Sequence, residues 1–403
     1  WHRGRPTDYT TLSGFGPNLN IARDPRWGRL SELAGEDPFL SGTYGAAVLQ
    51  GMQYSDQTEQ QRPAMLAFLK HFTAYTEETN RYHDNPDISA HDLFETFLAQ
   101  YKIAFISGKP AGLMCSYTGI SGTPSCANTF ILNEVVRKQW QQPDALVATD
   151  CGAVFNLLGA PVFAPSPEAA AAFALMNGTD IEMGSTLFPD HLQAAVAQGL
   201  ATEDRIDQAV ARWIRLHMRA GRFDPIGPSN PHTLLGLSTL NSSRHQLINK
   251  EAGEQSLVLL KNRGNFLPLK AGQHIAVLGP QGVTTSGLLP DYAGNDRNSN
   301  ICMTNGVPTY DCMTTVAEAV RAVNTEGKTT EAMGVNVTGN STAGIDPALQ
   351  LGKVADVIVL VLGIDKTVEY EGVDRNDTAL PGLQEAFAQK VFALNKPTVL
   401  ILV

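Results

Sequence analysis

Five cysteines in 403 residues are too few for a disulfide-dense scaffold. No apolar run approaches the roughly 20 residues needed to cross a bilayer, so no membrane partner is expected. Positive charge is also scarce. Thirty Lys and Arg against 40 Asp and Glu leave a net charge of −10. That balance argues against nucleic acid or an anionic membrane surface as a partner. The nine histidines include no His-Glu-x-x-His, and pairs such as His83 and His91 lack ligand spacing, so no metal is expected. Leu278-Gly-Pro-Gln-Gly282 lacks the glycine spacing of a phosphate-cradling loop, and a Gly-x-Ser-x-Gly elbow is missing. The reading is therefore of a protein without a cofactor and without a Ser-His-Asp triad.

What is present describes a globular protein of two domains, with 43% apolar and 17% charged residues. Segments reading as strands (Ala111–Tyr117, Ala145–Thr149) alternate with helical patterns such as Asp92–Tyr101. Thr202-Glu-Asp-Arg-Ile206 opens a helix with a cap and acids in its first turn. Its apolar positions Ile206, Val210, Trp213 and Leu216 predict the buried face, and Gly221 predicts its end. Alternation of this kind implies a parallel sheet with crossover helices. Prolines and glycines from Asp224 to about Arg244 then read as a linker, which we extend over 224–250. Beyond it, near-continuous apolar strands at Ser256–Leu260, Ile275–Leu278, Asp356–Leu362 and Val399–Val403 predict a second, mainly parallel α/β domain over 251–403.

Cys115 with Cys126, and Cys302 with Cys312, flank turn-like residues at spacings that suit short stapled loops in an oxidising compartment. Asn-x-Ser/Thr triplets at Asn177, Asn241, Asn336, Asn340 and Asn376 would permit glycosylation. Together these features point to a secreted glycoprotein.

Three segments could carry chemistry. Ala145-Leu-Val-Ala-Thr-Asp150-Cys151-Gly152 is an apolar run ending in a carboxylate, where barrel enzymes place their catalytic groups; a helix cap or a turn is the plainer reading of Asp150. Val361 to Arg375 puts Glu369, Glu371 and Asp374 in a loop after a strong strand, as either a ligand-facing loop or a solvated acidic one. Two carboxylates drawn from separate domains would suit glycosidic bond cleavage. Lys70-His71 closes the apolar run Met65–Leu69, and Arg23 to Arg29 places arginines beside Trp27, either as sugar ligands or as an ion-paired loop.

These segments resemble glycoside hydrolase family 3, and within it the β-xylosidase-like branch. The matches, in order, are Arg23-Asp-Pro-Arg-Trp-Gly-Arg29 with Gly35-Glu-Asp-Pro38, Lys70-His-Phe-Thr-Ala-Tyr75, Met114-Cys-Ser-Tyr117 with Pro124-Ser-Cys-Ala-Asn128, Thr149-Asp-Cys-Gly-Ala-Val154, and Glu369-Tyr-Glu-Gly-Val-Asp-Arg375 with Leu380-Pro-Gly382. The resemblance implies a (β/α)8-type barrel over 1–223, incomplete at its start, and an α/β sandwich incomplete at its end. It makes Asp150 the nucleophile of a retaining mechanism. Arg26 (with Arg23 and Arg29 as neighbouring candidates), Lys70, His71 and Tyr117 would hold sugar hydroxyls, and Glu369 or Glu371 would be the acid/base. Cys151, where glucose-preferring members commonly carry Trp, implies a xylose-shaped pocket. The implied activity is exo-acting removal of β-linked xylose from xylo-oligosaccharides. β-Glucosidase and α-L-arabinofuranosidase are the alternatives within the family, and a non-catalytic carbohydrate-binding fragment is the alternative outside it. The hexosaminidase branch ranks last, because its His-Asp loop is not seen.

Overall fold

The computed structural model describes residues 12–54, 62–159, 163–227, 242–288, 302–304, 307–309 and 313–403. The chain divides into two compact units. The first takes in Trp1–Arg23 and Leu33–Leu257; the second takes in Asp24–Glu32 and Val258–Val403.

The first unit is built on four parallel strands in chain order: β1 (Ser13–Asn18), β2 (Leu66–Phe72), β3 (Gly112–Cys115) and β4 (Leu146–Thr149). Ile181 adds a parallel bridge beyond β4, at Ala148. Helical segments separate the strands, among them Pro38–Gln53, Ala99–Gly108 and the π-helical Phe130–Gln139. Every residue of β2, β3 and β4 is buried, as expected of a parallel sheet covered by helices. The register pairs Phe72 with Cys115 and Cys115 with Thr149, so the C-terminal ends of these strands lie side by side. That alignment matters most for function, because it gathers the residues just past each strand at one edge of the sheet.

Helix starts obey their local signals. In Gly35-Glu-Asp-Pro38, the Asp37 side chain accepts from Leu40 N–H at 2.6 Å and Pro38 takes the first helical turn. Thr202 caps Glu203–Arg219, and that helix ends on Gly221 with φ of 69°. The Asp92–Tyr101 pattern is not one helix: a π-helical turn at Leu93–Phe97 interrupts it before Ala99–Gly108.

Three expectations need correction. In helix Glu203–Arg219, Val210 and Trp213 are 47% and 40% exposed, whereas Arg205, Ala209 and Leu216 are buried. The inward face is turned by about one residue because the Asp180 side chain, fully buried, pairs with Arg205 and Arg212. A buried charge left unpaired would cost more than exposing Val210 and Trp213. Second, helix Ser243–Ser256 occupies the end of the stretch read as linker. Third, Leu257–Leu260 belong to no strand and are 66–82% exposed. An apolar run becomes a strand only where a neighbour satisfies its backbone, and no described strand pairs with this one.

In the second unit β5 (His274–Leu278), β6 (Lys328–Ala332), β7 (Val357–Leu362) and β8 (Thr398–Leu402) form a parallel sheet in the order β6-β5-β7-β8. Central β7 is buried throughout, and its core partners include Phe387 and Val391 of helix Gln384–Phe392. Cys302–Thr304 pairs antiparallel with Val307–Thr309. Cys312 and the Cys302 side chain lie outside the described residues.

Candidate active site

Asp150 comes directly after β4 and is 8% exposed. Its backbone N–H donates to Cys115 C=O (3.0 Å), and its Oδ1 accepts from Cys151 N–H (2.8 Å). Cys151 C=O accepts in turn from the Tyr117 hydroxyl at 2.9 Å. The segment Asp180–Met183 holds β4 from its far side. Asp180 N–H and Ile181 N–H donate to Val147 C=O, Thr149 N–H to Ile181 C=O, and Gly152 N–H to Met183 C=O. Met183 N–H also donates to Thr149 Oγ1 at 2.9 Å. The backbone on both sides of Asp150 is therefore fixed, a condition for a preorganised carboxylate.

His71 Nε2 lies 3.7 Å from Asp150 Oδ2. Asn20 Oδ1 accepts from His71 N–H (2.9 Å) and faces His71 Nδ1 at 3.1 Å. A carbonyl-type oxygen can only accept, so Nδ1 is the donor towards Asn20, and Nε2 is the ring nitrogen that faces Asp150. His71 C=O accepts from Asn20 Nδ2 (2.9 Å) and from the Tyr101 hydroxyl (3.0 Å). Lys70, preceding it on β2, is buried, and the Lys70–His71 peptide bond is cis. Burial first, and then the Asp150 charge, push the Tyr117 phenol well above its ordinary pKa, so it remains a donor across the working range.

Within this unit the structure thus brings Lys70, His71, Tyr117, Asp150 and Cys151 to adjacent strand ends. Sequence reasoning missed Asn20, Glu78 and Arg81. The Arg81 guanidinium lies 5.2 Å from the Tyr117 ring centre and 4.9 Å from that of Tyr82, and donates to Glu78 Oε2 at 2.9 Å. Tyr75 donates to the same Glu78 oxygen at 2.8 Å. The only signal was the density of charge and aromatics in Tyr75 to Tyr82, and no spacing rule decodes it.

Arg26 belongs to the second unit, is half exposed, and pairs with Asp24 at 2.5 Å. The surrounding loop is stitched to the acidic segment of the same unit. Gly28 N–H donates to Asp374 Oδ1 (2.8 Å), and Arg375 N–H donates to Arg26 C=O (2.8 Å). A Cβ on Gly28 would fall 2.0 Å from Val373 C=O, so only glycine permits this approach. Trp27 is 1% exposed and offers no face to a sugar ring. Arg29 is equally buried, clamped on Glu32 at 2.6 and 3.0 Å and 3.8 Å from Glu371. Glu369 is the more enclosed of the two candidate acids, with 13% of its side chain exposed against 38% for Glu371. Arg375 lies 3.9 Å from it.

Cys115 and Cys126 form a disulfide that ties β3 to the turn before Phe130–Gln139, while Cys151 keeps its thiol. Among the described residues no His, Cys, Asp and Glu cluster could hold a metal, and no helix is long and apolar enough to cross a membrane.

Family models for the glycosyl hydrolase family 3 N-terminal and C-terminal domains match residues 8–216 and 257–403. The chain is 34% identical to the probable β-D-xylosidase 7 of Arabidopsis thaliana, covering 97% of this chain and 50% of that one. It is 33% identical to a β-xylosidase/α-L-arabinofuranosidase 1 of Medicago sativa subsp. varia, covering 97% and 49%. The chain therefore spans about half the length of the curated relatives it matches. Among solved structures it resembles a GH3 exo-β-xylosidase (XlnD) in complex with a xylobiose aziridine activity-based probe, with TM-score 0.85, 31% identity and coverage of 96% and 48%. A β-glucosidase from Listeria innocua in complex with isofagomine gives 0.83 at 27% identity, covering 97% and 52%. With both domain models matched in order over most of its length, the chain belongs to glycosyl hydrolase family 3.

Proposed function

We propose that the protein is an exo-acting, retaining glycoside hydrolase that removes β-linked xylose from the non-reducing ends of xylo-oligosaccharides. The observation that carries this reading is Asp150. It is a nearly buried carboxylate held at a strand end beside His71, Tyr117 and Cys151. In the first step the Asp150 carboxylate bonds to the anomeric carbon while a glutamic acid protonates the departing glycosidic oxygen. In the second step that glutamate takes a proton from water, which displaces Asp150 and releases xylose with its configuration retained. Lys70 and His71 serve as hydroxyl ligands. Arg26, paired with Asp24, is the least supported of the proposed ligands.

We assign the acid/base role first to Glu369, because proton transfer benefits from exclusion of water, with Glu371 as the alternative. Alanine at the acid/base position removes the group that activates water, so added azide should restore turnover of an activated aryl xyloside and yield the β-azide. Azide rescue of Glu371→Ala and not of Glu369→Ala would reverse the assignment.

Cys151 and the relatives named as β-xylosidases support xylose as the sugar. Release of p-nitrophenol from the xyloside, glucoside, arabinofuranoside and N-acetylglucosaminide tests this with the full-length protein. The xyloside should give the highest kcat/KM. A higher value on the glucoside would move the assignment, and no hydrolysis of any of the four by folded protein would favour sugar binding without catalysis. Export is part of the proposal, supported by the Cys115–Cys126 disulfide and by exposed Asn336, Asn340 and Asn376. Asn177 is a poor glycosylation acceptor, because its amide donates to Phe173 C=O at 2.8 Å.

A further inference from the structure

Bound to Val147 on the strand that ends in Asp150, Asp180 gathers more positive charge than it can neutralise. Its carboxylate is wholly buried and receives Arg137 Nη2 at 2.6 Å on Oδ2, and Arg205 Nη2 at 2.9 Å with Arg212 Nη1 at 3.0 Å on Oδ1. Val147 N–H donates to Oδ2 as well, at 3.0 Å. The three guanidinium side chains are 7%, 10% and 15% exposed. Among the described residues Asp180 is the single carboxylate paired with them, so the cluster holds three cations against one anion. The carbonyls of Ala145, Thr179 and Pro143 accept from Arg137, Arg205 and Arg212. They are dipoles and bring no charge.

Two buried donors are left over. Arg137 Nε and Arg205 Nη1 have no acceptor among the described residues, although both arginines are only 8% exposed. Buried polar groups are satisfied in nine cases of ten or more, and a charged donor without a partner is among the costliest exceptions. In a guanidinium, Nε–H shares an edge with one terminal nitrogen. In Arg137 that edge carries the Nη2 bound to both Asp180 and Ala145 C=O. Burial and the neighbouring Arg212 and Arg205 already lower the Arg137 pKa to about 10, the direction that uncompensated positive charge produces.

We propose that this cluster is a binding site for a small inorganic anion of the halide class, chloride under ordinary conditions, held beside Asp180 by Arg137 Nε and Arg205 Nη1. A monatomic anion accepts from several N–H groups without fixed direction. It would cut the excess charge from two to one, and the enclosure of the arginines disfavours larger oxyanions. The site would be structural, because Asp180 also braces β4 through Val147. It depends on no assumption about the reaction catalysed.

The test is diffraction from crystals of the full chain soaked in sodium bromide, together with thermal melts in sodium chloride and sodium gluconate at equal ionic strength. An anomalous bromide peak within hydrogen-bond distance of both nitrogens is expected. A saturable rise of several degrees in Tm, specific to chloride, is expected with it. Arg205→Met should abolish the chloride-specific part of that rise. If this variant does not fold, the bromide map of the unaltered protein still decides. Absence of an anomalous peak, or equal melts in both salts, would overturn the proposal and leave buried water as the partner of the two donors.

Discussion

Asp150→Ala in the full-length protein is expected to reduce kcat on an aryl β-xyloside by on the order of 10⁴ or more, the scale of losing a covalent nucleophile. Stability should change little. The loss of the acceptor for Cys151 N–H is worth about 1 kcal/mol. The backbone bonds from Asp150 to Cys115 and from Gly152 to Met183 do not involve the side chain. A second signature separates lost chemistry from lost structure. With the carboxylate gone, azide can take its place on the opposite face of the sugar, so the product should be the inverted α-azide. Azide acting on an acid/base variant gives the β-azide instead. Product NMR distinguishes the two. A kcat within tenfold of the unaltered enzyme, from protein of matching circular dichroism, would end the assignment of Asp150.

The largest effect on stability is expected at Asp180. Asp180→Ala removes the single carboxylate, among the described residues, paired with three nearly buried guanidiniums. Breaking a buried pair from one side costs about 3–5 kcal/mol, because the remaining charge stays desolvated. The first unit should therefore unfold at clearly lower urea, with the second unit less affected. Asp180→Asn, which keeps an acceptor oxygen and loses the charge, should fall between the two. A loss below about 1 kcal/mol for the alanine variant would mean that the arginines reach solvent or another anion, and that the charge argument fails. Activity should fall with stability, since Asp180 and Ile181 hold the strand that ends in Asp150.

The chemistry was legible where local sequence and strand geometry agree. An apolar run that stops at a carboxylate can be read without knowing its neighbours, and so can Lys70-His71 at the end of another. That Tyr117 and Cys151 meet, however, depends on the Cys115–Thr149 register, which neither segment encodes alone. Asn20 was unreadable for a similar reason. An asparagine after a strand has many ordinary uses, and only the pairing of β1 with β2 puts it against His71. Strand β6 was missed because Lys-Thr-Thr-Glu-Ala shows no apolar run, as befits an edge strand with partly exposed faces. Leu257–Leu260 failed in the opposite sense: the apolar run is real, but no described strand pairs with it.

Helix Glu203–Arg219 marks the boundary between the two kinds of information. Its start at Thr202 and its end at Gly221 are local events, governed by a side-chain oxygen and a left-handed backbone, and the sequence alone determined both. Which face turns inward was decided by Asp180, a residue of another segment. Hydrophobic burial is worth roughly 25 cal/mol per Å² and tolerates a partly exposed Trp213, whereas a buried carboxylate demands its cations. The same division holds for the site. The sequence determined which residue types end each strand, and parallel pairing in the folded unit decided which of them became neighbours.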